Sequence, residues 1–329
     1  MSYYLGLDVG ASNLRCALAT DEYERVAQIE RRTPQGPTVE RFTDVIRATV
    51  NDTLAAAGVT PAAVDGAGIA SIGPLDVAAG LIRSPANLDS DLGDIPIRET
   101  VAACVPDGPV RLCNDAIAGV ISEFRGGAPV ENLAYLTLSS GIGAGVVVDG
   151  HVLRGANGNA AEVGHLTLDR ESTRPCGCGG RGHWEAYAGG ENIPAYAADI
   201  ADAEGIDDSL LVGGCTTAEV FEAYGEDPLA TETVERVGDW NAQGTATLVN
   251  AFAPRRVVVG GAVALNNETL VLDPIRERIG RYLMRSAPEI RPTRFGADVV
   301  LRGALLLAAG DGPPGTASEA GGHRKQTEL

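Results

Sequence analysis

The sequence predicts a mixed α/β protein of two related lobes facing each other across a cleft. Three observations predict it. The chain has 329 residues, enough for about two domains of ordinary size. A unit of strand, glycine turn and strand opens the chain at residues 4–19 and returns at residues 133–148, the mark of an internal duplication. Amphipathic helical stripes and short strands are interspersed along the chain.

Tyr4-Leu5-Gly6-Leu7-Asp8 reads as the first strand, residues 9–13 as a tight glycine turn, residues 14–19 as a second strand, and residues 26–30 as a third. Over residues 38–57, Val39, Phe42, Val45, Ile46, Val50 and Leu54 recur at helical spacing, and Gly58 is a stop signal. A strand at 66–71, a helix around 97–105 and a strand at 109–113 lead into Asn114-Asp115. Ile117, Val120, Ile121 and Phe124 form a helical stripe that ends at Gly126-Gly127. The second copy has strands at 133–138 and 144–148, the Asp149-Gly150 hairpin signal, and a third strand at 151–154. Beyond Trp184 the chain reads as mostly helical, broken by strands at 256–259 and 298–301. Residues 311–329 have the composition of a mobile tail. No Pro- or Ser-rich linker separates the lobes, so one body with a hinge is expected.

With 44% apolar residues the chain can bury a sizeable core. Its longest apolar runs, 257–265 and 304–309, fall short of the roughly 18–20 residues of a membrane span. The start lacks the basic and apolar regions of a signal peptide, so a soluble, cytoplasmic protein is expected, with no membrane partner. A net charge of −18 argues against nucleic acid as a partner, since phosphate binding rests on Lys and Arg. Lys325 is the only lysine among the 26 basic residues. High-GC codon usage explains missing lysine but not the carboxylates, and together they point to a salt-adapted cytosol. Six cysteines in a chain this long do not form a disulfide framework. Cys16, Cys104, Cys113 and Cys215 read as scattered buried thiols.

A phosphate chain needs backbone N–H donors with no side chains in the way, which glycine turns provide. Asp8 ends the first strand and Gly10-Ala11-Ser12-Asn13 makes the turn; a carboxylate there holds Mg²⁺ through water. Ser140-Gly141-Ile142-Gly143 is the second cradle. Each turn by itself also reads as an ordinary hairpin; the pair gains meaning if both face one ligand. Asn114-Asp115 sits at a strand-to-helix junction. It reads either as a helix cap or as a base, Asp115, that accepts the proton of an attacking hydroxyl while Asn114 grips a neighbouring one. The helix dipole is expected to keep Asp115 ionised at neutral pH.

Glu162-Val163-Gly164-His165 is followed by Cys176-Gly-Cys178 and by His183-Trp184-Glu185. Two cysteines and two histidines among glycines are the ligand types of a closed, structural Zn²⁺ site; the alternative is a glycine loop with incidental thiols. Glu162 and Glu185 flank the ligands and suit a polyhydroxylated substrate. His165 can bind metal with one ring nitrogen and a hydroxyl with the other. Val257-Val258-Val259-Gly260-Gly261 is an apolar strand whose glycine end admits a flat ring, or simply a turn into a helix.

Together these motifs resemble the ROK family (repressors, open reading frames and kinases), specifically its glucokinase-like kinases, from about Leu5 to Ala309. The resemblance implies the two-lobed actin/hexokinase-like (ribonuclease H-like) fold. Residues 1–115 with about 300–310 would form a small lobe, and 116–299 a large lobe carrying the zinc loop and adenosine motif. It implies ATP with Mg²⁺ held by Asp8, Gly10, Ser12, Asn13, Ser140, Gly141 and Gly143, with Gly260 and Gly261 at the adenosine. Asp115 matches the catalytic base, and Asn114, Glu162, His165, Glu185, Gly73 and Asn87 match hexose-contacting positions. A structural Zn²⁺ would be bound by His165, Cys176, Cys178 and His183. The implied reaction is phosphorylation of a hexose at its 6-hydroxyl, foremost glucose, with fructose, N-acetylmannosamine and N-acetylglucosamine as alternatives. The turns themselves would also take ADP or polyphosphate. A homodimer or homotetramer is implied as well. The family's sugar-sensing repressors are the distant alternative; here the first strand begins within five residues of the start, ahead of which no DNA-binding helix-turn-helix is expected. The chain departs from the family pattern at Ala11-Ser12 and Ser139-Ser140, where Gly-Thr is usual, and at His183, where a third zinc cysteine is usual.

Overall fold

A strand covered on both faces must be apolar along its length, and β1 (Tyr3–Val9) is buried from Leu5 onward. In the computed structural model, which describes residues 2–36, 38–85, 88, 92–126 and 130–310, β1 is the centre of a five-stranded sheet. β2 (Asn13–Thr20) and β3 (Arg25–Arg32) extend it as an antiparallel meander. α1 (Val39–Ala57) packs Phe42, Ile46, Val50 and Leu54 into the core of this lobe. Thr38 caps its start by accepting the Arg41 N–H, and Gly58 ends it in left-handed backbone. β4 (Val64–Ser71) lies parallel to β1, and the small hairpin of β5 (Leu75–Asp76) and β6 (Leu81–Ile82) follows. After α2 (Ile97–Ala102), β7 (Val110–Asn114) adds parallel to β4, giving the order β3-β2-β1-β4-β7.

α3 (Asp115–Gly126) leads to the second sheet. β8 (Leu133–Leu138), β9 (Ile142–Val148) and β10 (His151–Val152) repeat the meander, with Asp149 and Gly150 both at positive φ in the turn. Four helices follow: α4 (Glu185–Ala188), α5 (Ile193–Glu204), α6 (Thr217–Glu222) and the long α7 (Pro228–Phe252). β11 (Arg256–Gly260) then pairs parallel to β8; α8 (Ala262–Asn266), α9 (Glu268–Arg278) and β12 (Glu289–Pro292) complete the order β10-β9-β8-β11-β12. Both sheets therefore share one plan, a three-strand meander continued by two parallel strands.

Residues 298–301, expected as a strand, instead start α10 (Val299–Ala309), directly after a 3₁₀ turn at Gly296–Asp298. A helix buried on most sides carries no polar stripe, so its apolar run does not show a helical period. The strands not foreseen are the two-residue β5 and β6 and β12, the last bounded by prolines as befits an edge. Cys16, Cys104 and Cys113 are buried thiols as expected, whereas Cys215 is half-buried. Gly127 and the expected tail at 311–329 lie outside the described residues. No helix among the described residues is long and apolar enough to cross a membrane.

Two helices join the sheets. α10 lies on the first sheet so closely that a Cβ added at Gly68 would stand 2.0 Å from the Ala304 carbonyl oxygen. α10 meets α3 at Gly303, where a Cβ would stand 1.9 Å from the Ala118 carbonyl oxygen. α3 in turn lies on the second sheet, at Gly145 and Tyr135. Arg25 pairs with Asp298 at 2.6 Å and Arg111 donates to the Ala308 carbonyl at 2.8 Å, fixing both ends of α10. Because backbone occupies the clash position at Gly303, Gly303→Ala should cost about 3 kcal/mol or more, read as a lowered midpoint in urea unfolding.

Candidate active site

Both glycine turns open on one cleft. Gly10 and Ala11 from the β1–β2 turn and residues 139–144 from the β8–β9 turn line a cavity of about 460 Å³ between the sheets. Gly73, Asn114, Asp115, Glu162, His165 and Glu185 line it as well. The local reasons are simple. Gly10 N–H closes the first turn on the Asn13 carbonyl at 3.0 Å, and Ser139 N–H closes the second on Gly141 at 3.0 Å. Ser12 and Asn13 stand exposed on their turn. Gly260 ends β11, and Gly261 (φ 92°) takes a backbone that brings it within contact of Leu138; its Cβ would lie 2.3 Å from the Leu138 oxygen. The neighbouring Ala262 N–H points to the Ser139 hydroxyl at 3.5 Å, so this turn lies beside the second glycine turn. Asn87 lies outside the described residues.

Asp115 begins α3 directly after β7. Its own carboxylate and the Asn114 amide oxygen both accept the Ala116 N–H, at 2.8 and 2.9 Å, so the pair does cap the helix while lining the cleft. The helix end does not keep Asp115 fully ionised at neutral pH, as the sequence reading expected. Burial, then the negative charge of Asp8, push its carboxyl up to about 7, outweighing the Ala116 hydrogen bond. Asp8 is itself buried, which raises its pKa, while Arg15, its cross-strand neighbour on β2, opposes the rise by charge and hydrogen bonding. Arg15 donates to one Asp8 oxygen from Nε at 3.1 Å and from Nη2. Glu162 is also pushed up, by burial first.

Glu185, at the start of α4, accepts the Ile142 N–H at 2.8 Å and stands 4.0 Å from His165 Nδ1. It joins the second glycine turn to a cluster formed by His165, Cys176, Cys178 and His183. Their four donor atoms all lie within 4.8 Å of one another. Cys176 Sγ is 3.6 Å from His165 Nδ1, and Cys178 Sγ is 3.3 Å from His183 Nδ1. Tetrahedral Zn²⁺ with bonds of about 2.0–2.3 Å sets neighbouring ligand atoms about 3.3–3.8 Å apart, so these residues fit the ion. With Nδ1 turned to the cluster, the other ring nitrogen of His165 remains for the cleft. The sequence reading missed Arg174, which pins this loop to the lobe. Its Nε donates to the Ala186 carbonyl at 2.6 Å, it pairs with Asp199, and its guanidinium sits over the Tyr187 and Tyr196 rings at 5.6 and 5.1 Å. Also missed were Asn157 and Asn159, which line the cleft; the Asn157-Gly158 pair is a turn signal that could have drawn attention to them.

The ROK family model matches residues 4–311. The chain belongs to the ROK family. A relative named glucokinase, from Pyrobaculum calidifontis, is 36% identical over 94% of this chain and 95% of its own length. The crystal structure of a ROK family glucokinase from Streptomyces griseus in complex with glucose and AMPPNP is similar with a TM-score of 0.78 and 29% identity, over 94% of this chain and all of that one. That of a ROK hexokinase from Thermus thermophilus gives 0.77 and 34% over 94% of this chain and 98% of the other. As in these ROK structures, the fold is the two-lobed actin/hexokinase-like one, and the chain is a sugar kinase.

The electrostatics of this ROK cleft can be tested without substrate. Asp8→Asn removes the like charge with the larger effect on Asp115, ahead of Glu162, so the Asp115 carboxyl should titrate lower than in the parent, measured by ¹³C NMR from pH 4 to 9. An unchanged midpoint near 7 would remove Asp8 from the causes and leave burial and the Glu162 charge.

Proposed function

We propose that this chain transfers the γ-phosphoryl group of ATP to the 6-hydroxyl of a hexose, with glucose the preferred acceptor. The observation that carries the reading is that both glycine turns and Asp115 line the same cleft. Kinship with proteins named glucokinase, one of them crystallised with glucose and AMPPNP, supports glucose as acceptor and ATP as donor.

The phosphate chain lies between the two glycine turns, residues 10–13 and 140–143, with the adenosine against Gly260 and Gly261. Mg²⁺ neutralises charge developing on the phosphates, and Asp8, held by Arg15, is the carboxylate placed to bind it through water. Asn114, Glu162, His165 and Glu185 grip the sugar hydroxyls, with Gly73 beside them; Asn87 matches a further sugar-contacting position by resemblance alone. Asp115 receives the proton of the 6-hydroxyl. A carboxyl near pH 7 is a stronger base than an ordinary aspartate yet is still largely ionised above neutrality. Residues 1–115 with 300–310 form one lobe and 116–299 the other; their closure about α3 and α10 excludes water that would otherwise take the phosphoryl group.

A structural Zn²⁺ is held by His165, Cys176, Cys178 and His183. All four positions are protein ligands, so the ion orders the loop and orients His165 and takes no part in the transfer. The excess of carboxylates over basic residues suits a cytosol of high salt, and assays belong in molar KCl.

In a coupled assay with Mg·ATP, glucose should give the highest kcat/KM among glucose, fructose, mannose and the two N-acetylhexosamines. A winning acetylated sugar would keep the mechanism and overturn the acceptor. Asp115→Asn should lower kcat by about three orders of magnitude or more with sugar affinity little changed. Since the base must be deprotonated, kcat/KM of the parent should rise with pH through a midpoint near 7. Metal analysis should find one zinc per chain, and Cys178→Ala should lose it.

A further inference from the structure

On the sugar side of the cleft, one side chain of the second lobe is paired with both backbone groups of one residue in the first. Asn159 lies in the loop between β10 and the 3₁₀ turn Val163–His165. Its Oδ1 accepts the Leu75 N–H at 2.9 Å, and its Nδ2 donates to the Leu75 carbonyl at 2.8 Å. The amide thus takes the place of one rung of a β-ladder on β5. Beside it the Gly158 backbone (φ 90°) lies flush on the hairpin, since a Cβ there would come within 2.3 Å of Val77 Cγ2. Leu75 belongs to the core of the first lobe, and Val77 packs against it partly buried.

The two ends of this contact lead straight to the sugar side. Leu75 is two residues after Gly73, and Asn159 is three before Glu162. Between Asn159 and Glu162 stands Ala161, at φ 62°, a left-handed backbone that a residue with a Cβ seldom adopts. Such a conformation persists only where its surroundings over-determine it. On one side the Ala160 N–H bonds the Arg154 carbonyl at 3.1 Å. On the other stands the Asn159 pairing.

We propose that Asn159 is a positioning residue that clasps the Glu162 loop to the first lobe and holds Gly73 and Glu162 at a set separation before sugar arrives. The proposal rests on the sugar-kinase reading of the cleft and deepens it, by naming a residue outside the sugar contacts that sets the spacing of two positions on the sugar side. In Asn159→Ala, amide hydrogen exchange should speed up roughly tenfold at Leu75 and across residues 154–162. The KM for glucose should rise roughly tenfold, while kcat and the KM for ATP stay within about twofold. Asn159→Asp should be no better than Asn159→Ala, because it keeps the acceptor for the Leu75 N–H but sets an oxygen against the Leu75 carbonyl. Unchanged exchange at Leu75 overturns the clasp. Faster exchange with an unchanged glucose KM overturns its positioning role, as does an equal rise in the KM of both substrates. Should the parent phosphorylate no hexose, the kinase reading fails by itself, and exchange at Leu75 still decides whether the clasp exists.

Discussion

The arrangement depends on backbone meeting backbone. α10 rests on the first sheet at Gly68, α3 rests against α10 at Gly303, and Gly145 of the second sheet rests against α3 near Ala116. At each of these contacts a single methyl group would collide with a carbonyl oxygen. Interiors packed to this density transmit displacement instead of absorbing it. The N-terminus of α3 is Asp115. Its position relative to both glycine turns is therefore set by a stack of contacts that contain almost no side chains to adjust.

Electrostatics follows from the same geometry. Asp8 comes from β1 and Asp115 from the start of α3, directly after β7; both are buried, and the charge of Asp8 adds to burial in disfavouring ionisation of Asp115. Asp8 has the Arg15 guanidinium against it. Two chemically identical groups thereby acquire different properties, one paired and suited to hold charge, the other left to exchange a proton. The helix N-terminus, which a sequence argument naturally invokes for Asp115, acts through the Ala116 N–H and is outweighed by removal from water.

What could be read from the sequence was local. The two glycine turns, Asn114-Asp115 and the Cys/His loop announce themselves because turn chemistry, capping and metal ligation each need particular residues a few positions apart. The first-sheet strands and α1 carried clear periods and punctuation, and the strands at β4, β7 and β11 fell within a residue or two of expectation. α10 was misread because burial on most sides erases the period that identifies a helix. Arg15 opposite Asp8 depends on strand register, Arg174 on where α5 runs, and Asn159 against Leu75 on how the lobes meet, none of which neighbours in sequence reveal. The Asp115 pKa likewise belongs to the assembled cleft and not to any stretch of chain.

Glu185 touches two neighbourhoods at once: the N–H of Ile142, in the strand leaving the second glycine turn, and the ring of His165, within the Cys/His cluster. A molecule that draws on this carboxylate from one side loosens or tightens its hold on the other. Thermodynamic linkage then makes the traffic two-way. Whatever factor an occupant beside the Cys/His cluster imposes on affinity at the second glycine turn, an occupant of that turn must impose in return, so neither would read the cleft as it would alone.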